Sequence, residues 1–356
     1  MKKLRHLRLG SIWTAGLLVL AISGCLSPIA LNRAVVAYDE AVTETVSKQL
    51  LINIARAHHH QPIHFTGLSN IAATFDFRFS SGATPALTGE ASRAIMPVFG
   101  GSVAENPTIS IAPIEGEEFT KRLLTPFQET KFLLLLRQGV DIDLLLRLMA
   151  KELRLKRDGE DIAYRNNPTD RAGYDMFRKA VLHLSAIQDA NRLYAESLVF
   201  ERAWTIPAEA VTAEGFKALE EEYLVTYNAV EKTFTLRKPV SGRILITNYD
   251  PDTLSPEERK AFHESAEHLA NDVSFDIQPG HFGGEWPVHG EFRLRSFNAM
   301  LNFLGASVEE ELEYHVDKDP RTPEVAENPV RTMDLLVQDT SPQGADLSVY
   351  SHGRHY

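Results

Sequence analysis

The sequence predicts an α+β protein: a helical N-terminal region with a β-hairpin, followed by mixed helices and small antiparallel sheets. Three observations predict it. Apolar residues recur every three or four positions from Val35 to Ile54, which is the spacing of one helix face. The period falls to two from Ile71 to Phe79, where Ile71, Ala73, Phe75, Phe77 and Phe79 alternate with Ala72, Thr74, Asp76 and Arg78. Further on, capped helices are interspersed with short strand-like runs joined by turn residues.

The chain begins with a leader. Lys2, Lys3, Arg5 and Arg8 precede the apolar run Ile12–Ile22, and no acidic residue falls in the first 24 positions. A basic segment, a short apolar segment and small residues at the cut describe a secretory signal peptide. The run is shorter than the roughly 20 residues that a membrane-spanning helix needs. Ile22-Ser23-Gly24-Cys25 resembles the lipobox of bacterial lipoproteins, with Ile22 standing where leucine is commoner. The resemblance implies cleavage between Gly24 and Cys25, removal of residues 1–24, a diacylglyceryl group on the thiol and an acyl chain on the new amino end. No other cofactor is implied. Each buried methylene adds about 0.8 kcal/mol, so two or more chains anchor stably where one does not. Leu26 and Ser27 are not acidic, which in this class points to the outer membrane and a periplasm-facing body. Cys25 is the only cysteine, which suits an oxidising compartment and excludes an internal disulfide.

Removing the leader leaves 33 basic residues (37 less its four) against 48 acidic ones, a balance of −15. That charge disfavours nucleic acid and any general affinity for anionic headgroups. Hydrophobic content of 44% supports a buried core. The greasiest later stretch, Phe132–Leu136, is bracketed by Lys131 and Arg137 and is too short to span a bilayer.

In order, the first helix runs from about Asn32 to Arg56, with Val35, Tyr38, Val42, Val46, Leu50 and Ile54 as its stripe. His58-His59-His60 read as its polar C-terminal end; Pro62 separates them from His64 and argues against a helical metal pair. The strand to Phe79 and a shorter one at Thr108–Ile111 are expected to flank a long loop over Ser80–Asn106. Strands with an aromatic face also occur in oligomeric membrane barrels, although one hairpin alone does not establish that. Three helices follow at Glu117–Leu124, Pro126–Gln138 and about Asp141–Lys156. A polar break over Arg157–Pro168 divides the mature chain into domains at 25–156 and 170–356.

The second domain opens with a long helix over Asp170–Arg202, interrupted at Asn191. A short helix at Thr212–Tyr223 leads to a three-strand meander over Tyr223–Asn228, Thr233–Arg237 and Arg243–Asn248. Ser255-Pro256-Glu257-Glu258 is a capping box with proline at the first helical position. Glu291–Arg295, a helix capped by Ser296, and Glu310–Val316 make a β-α-β unit. Asp317–Pro329 is a loop, and Leu335–Val337 and Leu347–Tyr350 are late strands.

Two places invite a site. His263-Glu264-Ser265-Ala266-Glu267-His268 resembles zinc-peptidase motifs without matching H-E-x-x-H or H-x-x-E-H, and its five-residue spacing points the rings apart. His281-Phe282-Gly283-Gly284-Glu285-Trp286-Pro287-Val288-His289 is the most site-like loop, with His281, Glu285 and His289 as candidate metal ligands. An aromatic turn packed on a sheet explains the same residues. No G-x-S-x-G, H-E-x-x-H or catalytic cysteine supports a hydrolase, so no catalytic residue is assigned.

The segments Gln49–Arg56 and Leu294–Leu301 resemble those of uncharacterised proteobacterial outer-membrane lipoproteins. The resemblance extends from the anchor through much of the chain and carries structural motifs only. It implies a non-catalytic scaffold, assembly or envelope-complex role, with the membrane reached through the lipid and an envelope protein or a second copy as partner. A ligand-binding subunit of a transport or secretion system, and a metal-dependent envelope hydrolase, are the alternative readings.

Overall fold

A computed structural model describes residues 32–85, 95–157, 160–265, 271–308 and 312–356. The leader with Gly24, the lipidation residue Cys25, and His268 of the zinc-like motif lie outside the described residues. The fold is α+β, with two compact units. One comprises residues up to Ala55, Pro62–Gly116 and Gln338–Tyr356; the other comprises Arg56–Gln61 and Glu117–Val337.

Helix α1 covers 32–58, and its residues up to Ala55 belong to the first unit. Its burial differs from the expected stripe. Leu51, Ile54 and Ala55 are buried, but Val35, Val46 and Leu50 are exposed. Asn53 is fully buried and ties α1 to the chain that follows. Its side chain donates to His64 O at 2.8 Å and accepts from His64 N at 2.9 Å. Gln49 adds a third tie, accepting from Thr66 N at 2.9 Å.

Strands β1 (Phe65–Pro85) and β2 (Ile95–Ile114) pair antiparallel from Phe65↔Ile114 to Pro85↔Ile95. Of the expected loop over 80–106, residues 80–85 and 95–106 are strand, and 86–94 lie outside the described residues. The chain end folds back as β10 (Tyr350–Ser351) and β11 (Arg354–His355), with Gln338 bridging His355.

The second unit is built on a seven-stranded sheet. Its helices are α2 (Glu117–Leu124), α3 (Glu129–Arg137), α4 (Ile142–Met149), α5 (Arg171–Asp189), α6 (Ala213–Glu222), α7 (Pro256–Ser265) and α8 (Phe297–Ala306). Its strands are β3 (Ala150–Arg157), β4 (Glu160–Arg165), β5 (Tyr194–Pro207), β6 (Leu224–Asn228), β7 (Thr233–Thr247), β8 (Asp272–Ile277) and β9 (Val288–Leu294). The order is β4-β3-β9-β8-β7-β5, with β6 also on β7. Only β7 and β8 run parallel within this sheet. Phe132, Leu146, Phe177, Val181 and Leu184 of α3, α4 and α5 form one core with Leu153, Ile246, Val273, Phe275 and Phe292 of the strands. Burial of each such side chain contributes about 1.5–3 kcal/mol.

Four expected elements change here. The helix expected to reach Lys156 stops at Met149. Arg295 donates to the carbonyls of Arg147 (2.9 Å) and Leu148 (3.0 Å), and Asn166 donates to that of Arg147 (2.8 Å). These bonds satisfy the end of α4, where a cation is favoured. The chain then leaves as β3. The break at 157–168 is a β-hairpin inside this unit, so the boundary between 156 and 170 is not where the chain divides. The expected long helix ends at Asp189, because Asn191 takes a left-handed φ of 55° that asparagine tolerates, and β5 follows. Finally, Pro239–Gly242 is not a turn: β7 runs through it. Pro239 pairs with Glu201, where β5 alone flanks the strand and a missing N–H is tolerated on the open side.

The expected return strand at 310–316 is also absent among the described residues. Residues 312–337 run without helix or strand and are held by buried polar side chains. Asp143 sits between Arg147 and Arg178, all three buried. Arg178 donates on to Asn328 Oδ1 at 3.2 Å and Arg147 to Pro329 O at 3.1 Å. Glu313 accepts from Thr332 N at 2.9 Å and Thr332 Oγ1 at 2.6 Å. Burial lowers the Arg147 pKa against the pull of Asp143, and pushes Arg295 down to about 9.

Candidate functional site

The site-like loop joins β8 to β9. It sits at the carboxyl end of the parallel pair β7–β8, beside the segment that leaves β7. Loops leaving a parallel pair at this end can form a crevice that the ladder does not fill. Here they are fastened to each other. Asn248, the residue after β7, accepts from Gln278 N at 2.9 Å and donates to Gln278 O at 2.9 Å and Phe282 O at 3.1 Å. Next to it, Tyr249 donates its hydroxyl to Asp276 at 2.7 Å, and Gln278 donates to the same oxygen at 2.8 Å. Burial, then the Asp276 contact, raises the Tyr249 pKa, so the hydroxyl remains a donor.

The far end of the loop is fixed on α5. Trp286 is buried and meets His183 in a tilted ring contact, centroids 5.0 Å apart. His183 is fully buried, with Nδ1 3.0 Å from Thr322 Oγ1. Burial pushes its pKa down to about 4, so the ring is neutral at pH 7. Gly283 crosses Ile187 with φ of 78°, and a Cβ there would lie 2.7 Å from Ile187 Cδ1. Glycine meets both demands, of conformation and of space.

Two pockets result. One, of about 740 Å³, is lined by Arg192, Tyr194, Tyr249, Asp250, His281 and Glu285. It presents a cation, an imidazole, two carboxylates and two phenols, and so suits a small polar ligand. The other, of about 450 Å³, has a mixed lining: Leu155, Tyr164, Met176, Trp286 and Val288, with the cations Lys156 and Arg321 and His289. Arg321 stands over Trp286 at 5.1 Å and is paired with Asp319 through two bonds of 2.8 and 3.0 Å.

The loop's expected metal set does not assemble. His281 and Glu285 line the larger pocket, whereas His289, on β9, lines the smaller one. Among the described residues, no three His, Cys, Asp or Glu side chains are placed to hold an ion. Of the zinc-like motif, His263 packs with its ring 4.7 Å from that of Phe200. His58 ends α1, its Nδ1 2.9 Å from Gly305 O. Sequence reasoning missed Asn248, Tyr249 and His183. Each is a single polar residue in or beside an apolar run, and only the return of distant loops gives it a partner.

Comparison of the chain with protein families, curated proteins and solved structures finds no match.

Proposed function

We propose that this is an outer-membrane lipoprotein of the bacterial envelope, held by lipid on Cys25 and facing the periplasm. Its role is non-catalytic, as a scaffold or assembly subunit of an envelope complex. The observation that carries the reading is the sequence Ile12–Ile22 followed by Ser23-Gly24-Cys25, with no other cysteine in the chain. The exposed Val35, Val36 and Val46 of α1, close after the anchor in sequence, support a partner contact. The pocket that holds Arg192, His281 and Glu285 favours a second reading, a ligand-binding subunit of an envelope transport or secretion system.

The test is metabolic labelling with a radioactive fatty acid, combined with membrane fractionation. The native chain takes label and sediments with outer membranes after a high-salt wash. Cys25→Ser abolishes labelling. A Cys25→Ser chain that is cut and fractionates as the native one does overturns the anchor. Cross-linking followed by co-purification then separates partner assembly from ligand binding.

A further inference from the structure

The β1–β2 ribbon has no third strand among the described residues. Two strands alone are marginally stable in water, and both outer edges present unladdered N–H and C=O groups. The ribbon is also longer than a hairpin of this kind needs. Its strands have 21 and 20 residues, or about 65–70 Å at about 3.4 Å per residue. A tilted strand crosses the bilayer core with roughly 9–11 residues.

The register sorts the ribbon into two faces. Directly paired residues share a face, so Phe75, Phe77, Phe79, Ser81 and Ala83 lie with Glu105, Val103, Gly101, Phe99 and Pro97. From Phe77↔Val103 to Pro85↔Ile95 this face carries no charge. That interval is nine residues on each strand (77–85 and 95–103). The opposite face holds Asp76, Arg78, Ser80, Gly82 and Thr84 with Ala104, Ser102, Gly100, Val98 and Met96. Nearer the base, beyond Glu105, Ile109 and Ile111 lie on the same face and are 48% and 64% exposed. The 50 residues 65–114 contain five charged side chains, against 24% over the whole chain. Apolar against small-and-polar alternation over this length is the pattern of a barrel strand with lipid on one side and water on the other.

We infer that the β1–β2 ribbons of several copies of this chain close into one membrane-spanning β-barrel. The occupant of each open edge is a second copy. A closed barrel takes eight or more strands, and each chain supplies two, so at least about four chains are needed. When every ribbon enters from the same side, β1 of one copy meets β2 of the next antiparallel, a head-to-tail contact that a ring closes. Pro85 in β1 and Pro97, Pro107 and Pro113 in β2 each withhold one donor, and the remaining groups of the two edges carry the ladder. The inference rests on the lipoprotein reading for its bilayer, which a lipid on Cys25 supplies.

The experiment uses the whole chain, purified in detergent and reconstituted into phosphatidylethanolamine–phosphatidylglycerol vesicles. Single cysteines at 77, 79 and 81 on one face, and at 78, 80 and 82 on the other, take an environment-sensitive fluorophore. Nitroxide-bearing phospholipid is expected to quench the odd set at least about twofold more than the even set, with cross-linked particles of four or more chains. Ser80→Cys and Ser81→Cys are the mildest pair and keep the comparison available if a phenylalanine variant fails to fold. Equal quenching of both sets, or a single-chain particle, overturns the barrel. The parent chain, with no added cysteine, reads the anchor separately. Fluorophore uptake there means a free Cys25 thiol and sinks the anchor while leaving the face comparison intact.

Discussion

Asn248 and Gln278 bind each other twice. The amide side chain of one matches the backbone N–H and C=O of the other, both at 2.9 Å. The pair extends the β7–β8 ladder by one step, with a side chain standing in for a strand. Asn53 and His64 use the same device at the start of β1. In both places a turn is held where no regular partner is available.

Asn248→Ala therefore leaves Gln278 and Phe282 without these bonds. A buried group left unpaired costs about 1–3 kcal/mol. Amide exchange at Gln278 should accelerate, and urea unfolding should show the loss. Unchanged exchange at Gln278 would mean that the loop holds without Asn248.

Removing Arg178 takes away one of the two buried cations on Asp143 and leaves it Arg147 alone. Breaking a buried pair from one side costs about 3–5 kcal/mol. Arg178→Met is expected to lower the urea midpoint accordingly and to loosen Asn328, which Arg178 also holds. A cost under about 1 kcal/mol would show that the pair contributes no more than an exposed one.

His183 makes the second unit acid-sensitive. Its pKa falls from 6.5 to about 4 in the folded chain because burial disfavours the imidazolium. The unfolded chain thus binds the proton first, and stability falls between about pH 6.5 and 4. The loss by pH 5 is about 2 kcal/mol. Burial raises the pKa values of Glu129 and Glu291, which work in the opposite sense, so the readout is a comparison of chains. His183→Gln is expected to lose less stability than the parent from pH 7 to pH 5 by that amount. Parallel pH curves would place the ring in water.

Gly283→Ala sets a methyl group against Ile187 at a positive φ. Overpacking of this kind costs about 1–3 kcal/mol. Combining it with Ile187→Ala is expected to recover the steric part and leave the backbone part, seen as non-additive shifts in thermal midpoint. Strict additivity would show that the two residues do not press on each other.

Local chemistry was legible in the sequence, and long-range partnership was not. Glu117–Leu124 forms as its pattern demands. The Ser255 cap closes reciprocally with Glu258 at 2.8 and 3.2 Å, and Ser296 accepts from Ala299 N at 3.2 Å. The helix stop at Asn191 was visible as an interruption, but the apolar spacing of Tyr194 and Leu198 fits a helix as well as a strand. Residues 150–157 read as helix because the cause of the change lies far off, in Arg295 and Asn166. The 281–289 loop drew notice for its histidines, yet its shape depends on Asn248 and His183, which carry no local signal. Arginines 147, 178 and 295 carry no local signal of burial, and the structure buries all three.

The stretch 312–337 is moored at separate points by Arg147, Arg178, Asp189 and Glu313, with no ladder between them. Such a strap cannot fray gradually from one end, because each mooring leaves its neighbours little to hold on their own. It should peel away as one piece while the sheet beneath stays intact. A protease acting on the native protein would then cut here first, and the cut would leave the strand order whole.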